Sequence, residues 1–229
     1  MQSFASIYQQ AAQHHGGSGM LESLMARAQY PVRSNAQIAS LDDRYMLSEL
    51  CRRVFRTGMR HAVVDAKWPA FEKAFFNFSP MRCAMMSDEE LEAQMGNSDI
   101  IRHLAKIAAV RDNANMVVWV GREHNGFARF IADWPSDNIM ELWDFLKKNG
   151  KRMGGNSGAR FLRMVGKDSF ILTDDVLVAL RRAGVIDKHA NAKRDRASVQ
   201  QAFNHWGEES GLGLADMSRI LACSIGTEQ

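Results

Sequence analysis

Apolar residues recur mostly three and four positions apart, and only four prolines interrupt the chain, so the pattern predicts helices. Met46, Leu47, Leu50, Val54 and Met59 place one helix at about 42–60. Phe71, Phe75, Phe76 and Phe78 mark a second element that stops at Ser79-Pro80, because proline biases its predecessor away from helix. Ser87 followed by Glu90 three residues on is a capping signature. Ile100, Ile101, Leu104, Ile107, Ala108 and Val110 form the next apolar stripe. Shorter helices are expected at 138–148, 159–165, 176–182, 199–206 and 214–225. The two strand-like runs, 117–120 and 127–131, are too weak to outweigh the helical pattern. The expected fold is all-α: a compact helical bundle without internal repeats.

The run His14 to Gly19 (HHGGSG) reads as a flexible joint. Residues 1–40 are therefore expected to form a partly flexible N-terminal extension and residues 41–229 the main domain. The 229 residues are 46% hydrophobic and 24% charged, a globular balance, and no run of 18 apolar residues suggests a membrane span. The first dozen residues lack a basic start and an apolar core, so no secretory leader is expected. Cys51, Cys83 and Cys223 form no CxxC pair, which argues against a four-cysteine cluster and a disulfide framework. A cytoplasmic monomer without a cofactor is the expectation.

Charge changes the picture through its distribution. Lys147, Lys148, Lys151, Arg152, Arg160, Arg163 and Lys167 lie in one stretch with no acidic residue, which is either a solvated face or a surface for a polyanion. That stretch contains Gly154-Gly155 followed by a helix start near Ser157. Glycines permit positive φ and close backbone approach, and free N–H groups at a helix start can hold an anion such as a nucleic-acid phosphate. Asp174 and Asp175 follow Gly166 by eight and nine residues, just ahead of an apolar helix. Taken alone, such a pair is also what an N-terminal cap looks like.

The hairpin, the helix and the trailing aspartate resemble the helix-hairpin-helix DNA glycosylase superfamily. Its hairpin reads LPGVGxxTA, and the matching residues here run from Arg152 to Ala159, with the second family glycine on Gly155. The family's catalytic aspartate falls on Asp174, or on Asp175 in the register of alkylbase glycosylases, where the second of two aspartates acts. The N-terminal half is similar to the type I bacterial 3-methyladenine DNA glycosylase family. Trp68 to Phe75, Phe78-Ser79-Pro80, Ser98 to Ile107, Asn113-Ala114 and Leu146 to Gly150 carry that likeness. Together the two resemblances span about residues 41–186.

The resemblance implies a double-stranded DNA partner, no membrane, and hydrolysis of the N-glycosidic bond of a damaged, flipped-out base, an alkylated one among the candidates, in base excision repair. Lys151, Arg152, Gly154, Gly155, Asn156, Ser157 and Arg160 would hold the strand. Arg53, Phe55, Met59, His61 and Trp68 would line the base pocket. Arg53 stands where the type I family has its base-reading glutamate, and His61 where it has a tryptophan. A cationic pocket would repel a positively charged alkylated purine. The N-terminal Cys-Trp zinc motif is missing and no cysteine accompanies His189, so no metal is expected. Ser157 occupies the position of the lysine nucleophile of bifunctional members, which implies hydrolysis without strand cleavage.

Arg52, Arg56 and Arg60 share one helical stripe, read as a solvated basic face, with an extended phosphate track as the alternative. Two other functions stay open on sequence alone. One is a non-catalytic DNA-binding or damage-sensing protein on the same scaffold, and the other is a helical module that binds a protein partner.

Overall fold

A computed structural model describes residues 1–27, 30–188, 190 and 192–226. The described residues are helical, with no strand among them. The first ten helices are α1 (Phe4–His14), α2 (Ser18–Ala26), α3 (Asn35–Ala39), α4 (Asp43–Arg56), α5 (His61–Ala66), α6 (Trp68–Ala74), α7 (Pro80–Ala84), α8 (Asp88–Ala93), α9 (Leu104–His124) and α10 (Phe127–Asp133). Then follow α11 (Ile139–Asn149), α12 (Ser157–Met164), α13 (Asp174–Arg182), α14 (Lys193–Ser210) and α15 (Leu214–Cys223). Both strand-like runs are helical, within α9 and α10. None of these helices is long and apolar enough to cross a membrane.

Contacts group the chain into two units, residues 33–134 with 142–167 and residues 1–32 with 135–141 and 168–229. That grouping differs from a boundary at residue 40. The segment 14–19 holds the last residue of α1, a turn at 15–17 with Gly16 and Gly17 at φ 81° and 113°, and the first residues of α2.

The first unit is built around α9, against which α4, α7, α8 and α10 pack. Helix α9 buries a broad face formed by Ile107, Ala109, Val110, Ala114, Met116, Val117 and Val120, with Lys106 and Asn113 among them. It starts four residues later than the stripe suggests. Ile100 is buried but precedes the helix, and His103 is its extended first cap. Ser87 and Glu90 form the expected capping box at α8. Proline opens α6 and α7 at a position where no N–H is needed. Between these two helices Phe76, Asn77 and Phe78 all take φ near +50°, a left-handed turn that costs each residue about 1–2 kcal/mol. Burial of Phe78 offsets it: its ring stacks on Trp68 at 5.2 Å, within a cluster that includes Phe55, Phe71 and Phe75. The carboxylate of Asp43 accepts the first free N–H groups of α10, from Phe127 and Ala128, at 3.0 and 2.9 Å.

The second unit packs α1 on α2, α14 and α15, and α13 on α15. Its core stacks Phe170 on Phe203 at 4.1 Å, with Trp206 edge-on to Phe203. Asp168 caps α15 through the N–H groups of Leu214 and Ala215, and Glu209 caps α1 through those of Phe4 and Ala5.

Candidate nucleic-acid site and arginine-lined cavity

The hairpin between α11 and α12 is held in place by Asn113, a fully buried residue of α9. Its side-chain oxygen accepts the Lys151 N–H at 2.7 Å and its amide donates to the Lys151 carbonyl at 3.2 Å. Gly150, just before, admits no larger residue: a Cβ there would meet the Leu146 carbonyl at 2.7 Å and Met153 Cγ at 2.9 Å. The hairpin therefore starts from a rigid point. Its left-handed positions are Arg152 (φ 63°) and Gly155 (φ 58°), so Gly154 is not one of them. Met153 is buried under the turn, while Lys151, Arg152 and Gly155 are exposed. The Ser157 N–H donates to the Gly154 carbonyl at 3.2 Å and its side chain is buried, so this backbone donor is already engaged within the turn.

Helix α12 carries the hairpin to a cavity. Arg160, in its second turn, lines a space of about 550 Å³ together with Arg53, Arg56, Gly58, Met59, Arg60 and His61. A volume of roughly 300–1,000 Å³ is usual for a small-molecule site. No carboxylate is among its described lining residues. Arg56 is 6% exposed, and both its Nε and its Nη2 donate to Asp65 Oδ1, at 3.0 and 2.7 Å. That ion pair fixes the guanidinium at the cavity wall, and Nη1 reaches Met164 Sδ of α12 at 3.8 Å. His61 is exposed at the rim. Partial loss of hydration pushes its imidazole below the ordinary 6.5, as do the guanidiniums of Arg56, Arg53 and Arg160, against an opposing pull from Asp65. Behind the cavity, Lys106 of α9 is buried and donates to the carbonyls of Phe55 and Thr57 at 3.0 and 2.7 Å, closing the C-terminal end of α4. Burial, then the charges of Arg152 and Arg53, lower its basicity.

Thus Arg53, Met59, His61 and Arg160 come together, whereas Phe55 and Trp68 are core residues that do not line the space. The arginine stripe is not a solvated face. Arg56 is buried and Arg60 turns into the cavity, while Arg52 pairs with Glu49 at 2.9 Å and lies 4.8 Å above the Trp68 ring. Lys167 leaves the basic face as well: it is buried, donating to the carbonyls of Ala132 and Trp134. Asp174 and Asp175 occupy the first turn of α13 in the other unit, behind Thr173, whose hydroxyl accepts the Val176 N–H. Both aspartates are exposed. His189 lies outside the described residues, among which no His, Cys, Asp and Glu cluster is placed to hold a metal.

A family model for methyladenine glycosylase matches residues 36–156, more than half of the chain. The chain belongs to the methyladenine glycosylase family. A DNA-3-methyladenine glycosylase of Haemophilus influenzae is 29% identical over 152 residues, 66% of this chain and 82% of the relative. DNA-3-methyladenine glycosylase 1 of Escherichia coli is 24% identical over 94 residues, covering 41% of this chain and 50% of that protein. Among solved structures, a 3-methyladenine DNA glycosylase I aligns with a TM-score of 0.51 at 24% identity, over 64% of this chain and 87% of its own. The 8-oxoguanine DNA glycosylase of Methanocaldococcus jannaschii aligns over 95% of this chain and 92% of its own, with a TM-score of 0.54 at 16% identity. At such identities the structural likeness speaks for the fold, which is that of all-α DNA glycosylases.

Within this glycosylase family the matched span takes in α4, α5, the Asn113 clamp and the hairpin, and it ends before Arg160 and both aspartates. Arg56, Gly58 and Arg60 escaped the sequence-based pocket. Gly58, at φ 71° two residues past the end of α4, was the available signal: a glycine there marks a helix stop, and beyond it Arg60 no longer follows the helical stripe. Lys106 and Asn113 carried only a motif likeness, because their work is tertiary.

Proposed function

We propose that this chain is a monofunctional DNA glycosylase that hydrolyses the N-glycosidic bond of a damaged, flipped-out base in duplex DNA during base excision repair. The observation that carries the reading is the short connection made by α12, from a clamped basic hairpin at its start to an open cavity at Arg160 with room for a base. The family membership and its DNA glycosylase relatives point the same way.

The hairpin backbone at Gly155 and Asn156, with Lys151 and Arg152, holds phosphates and positions the strand without choosing a sequence. A base must leave the stack before its glycosidic bond is reachable, and the cavity receives it. As the C1′–N bond breaks, its electron pair leaves with the base nitrogen and positive charge develops on the sugar. A carboxylate, Asp174 or Asp175, stabilises that charge and takes a proton from the water whose oxygen bonds to C1′. The base acquires its proton from solvent. Ser157 supplies no amine for a Schiff base, so the abasic strand stays intact.

The test is base release from duplexes with single lesions, scored as alkali-labile sites, for the wild type, Asp174→Asn and Asp175→Asn. One of the two substitutions should lower release at least a hundredfold with duplex affinity kept. No release from any alkylated, oxidised or deaminated duplex at protein excess overturns the reading. The exposure of both aspartates favours a second reading, a DNA-binding protein without catalysis. It requires salt-sensitive duplex binding that survives the double substitution, with no base release by either form.

A further inference from the structure

The arginine-lined cavity has a consequence for the kind of base it accepts. We infer that it selects a base with carbonyl oxygens on its exposed edge, or with a formal negative charge, such as an oxidised or deaminated purine, and disfavours the cationic N-alkylpurines. This inference rests on the glycosylase reading of the same site and adds the substrate class to it.

Charge and donor geometry supply the argument. Four arginines line a space of about 550 Å³, and none of its described lining residues is a carboxylate. Asp65 offsets the charge of Arg56 through the pair at 2.7 Å. Arg60 and Arg160, on two other segments, meet no carboxylate among the described lining residues. A guanidinium is always protonated, offers only donors and matches planar acceptors. Deamination replaces an exocyclic amino donor with a carbonyl acceptor, and oxidation at C8 adds another. Both changes turn a base edge toward what this wall can bind. Alkylation at N3 or N7 does the reverse, placing a positive charge among guanidiniums. His61 at the rim is consistent with this: partial burial first, and then the arginines around it, disfavour its protonation against the pull of Asp65.

The same charges act on the leaving group. When the C1′–N bond breaks, its electron pair stays on the base nitrogen, and a fixed positive wall stabilises that developing anion before it is protonated. Arg56, held through two nitrogens by Asp65, needs no reorientation to do so.

Two measurements on the full chain test this. The first is calorimetric binding at pH 8 of xanthine against 3,9-dimethyladeninium, an N-alkylpurine that keeps its positive charge without a sugar, with inorganic phosphate as a third probe. Xanthine should bind at least tenfold tighter than this cation, a difference of about 1.4 kcal/mol. Equal or tighter binding of the cation overturns the inference. So does a site that takes phosphate and neither purine, since the cavity is then a backbone contact. The second is release from one duplex sequence carrying xanthine, hypoxanthine, 8-oxoguanine or 7-methylguanine. At least one of the first three should be released ten times faster than 7-methylguanine. Arg60→Glu, at an exposed rim position, should narrow that ratio at least tenfold, and Arg160→Glu provides a second variant on another helix. Faster release of 7-methylguanine overturns the inference and leaves the glycosylase reading standing. Failure to release any base sinks that reading, while the calorimetric measurement still decides the inference.

Discussion

Asn113 grips Lys151 at both of its backbone groups, accepting from the N–H at 2.7 Å and donating to the carbonyl at 3.2 Å. One buried side chain thereby sets where the hairpin leaves its helix. Asn113→Ala orphans two backbone groups beside a cavity and is expected to cost about 2–3 kcal/mol. Asn115→Ala, exposed two positions on, should stay within about 0.5 kcal/mol. Denaturant titration of both variants checks this. Equal effects would mean that the clamp is ornamental.

Gly150 and Gly155 are needed for different reasons and should fail differently. Gly150→Ala collides with the Leu146 carbonyl and Met153, an overpacking cost of about 1–3 kcal/mol that also displaces the hairpin. Gly155→Ala meets no atom within 4 Å but must hold φ 58°, at about 1–2 kcal/mol. Stability and duplex affinity measured together separate them. The first variant should lose affinity beyond its loss of stability, and the second should lose mainly stability.

The His61 imidazole should titrate below 6.5 by NMR, because partial desolvation and the guanidiniums of Arg56, Arg53 and Arg160 oppose its protonation. Between its folded midpoint and 6.5, the unfolded chain binds the proton more readily than the folded one. Stability attributable to this group therefore rises with pH through that window and is lost as pH falls through it. His61→Gln should flatten that part of the pH profile, and Arg160→Gln should move the His61 midpoint upward. A midpoint at or above 6.5 would contradict the charge arrangement of the cavity.

Thiol chemistry offers a check on packing. Cys51 and Cys83 are buried, and burial pushes the Cys83 thiol up to about 12. Cys223 is half-buried and is the one cysteine with partial access. A maleimide at pH 7 should modify at most Cys223 in the native protein and all three cysteines once it is unfolded. Rapid native labelling of Cys83 would show that the α7 region opens.

Helices were readable where one face is apolar and an end carries its own signal. The Ser87–Glu90 box and the prolines at the starts of α6 and α7 are local devices, and they appear where the chain announces them. The end of α4 was misplaced because its apolar pattern runs on to Met59, although Gly58 takes a left-handed turn that ends it. The cavity was half legible. Arg53, Met59 and His61 follow from their register against the family motif, whereas Phe55 and Trp68 share the segment but are claimed by the aromatic core.

Periodicity, caps and breakers, each acting within a few residues, determined on their own that this chain is helical and that a basic glycine turn leads into α12. Only the tertiary structure decided which charges meet. Arg52, Arg56 and Arg60 are indistinguishable along the chain, yet one pairs with Glu49 above a tryptophan, one is fixed by Asp65 and one opens into the cavity. A charged side chain's role depends on its partners and its access to water, and both come from segments far away in the chain: Arg160 reaches the α4 arginines only because α12 packs on α4.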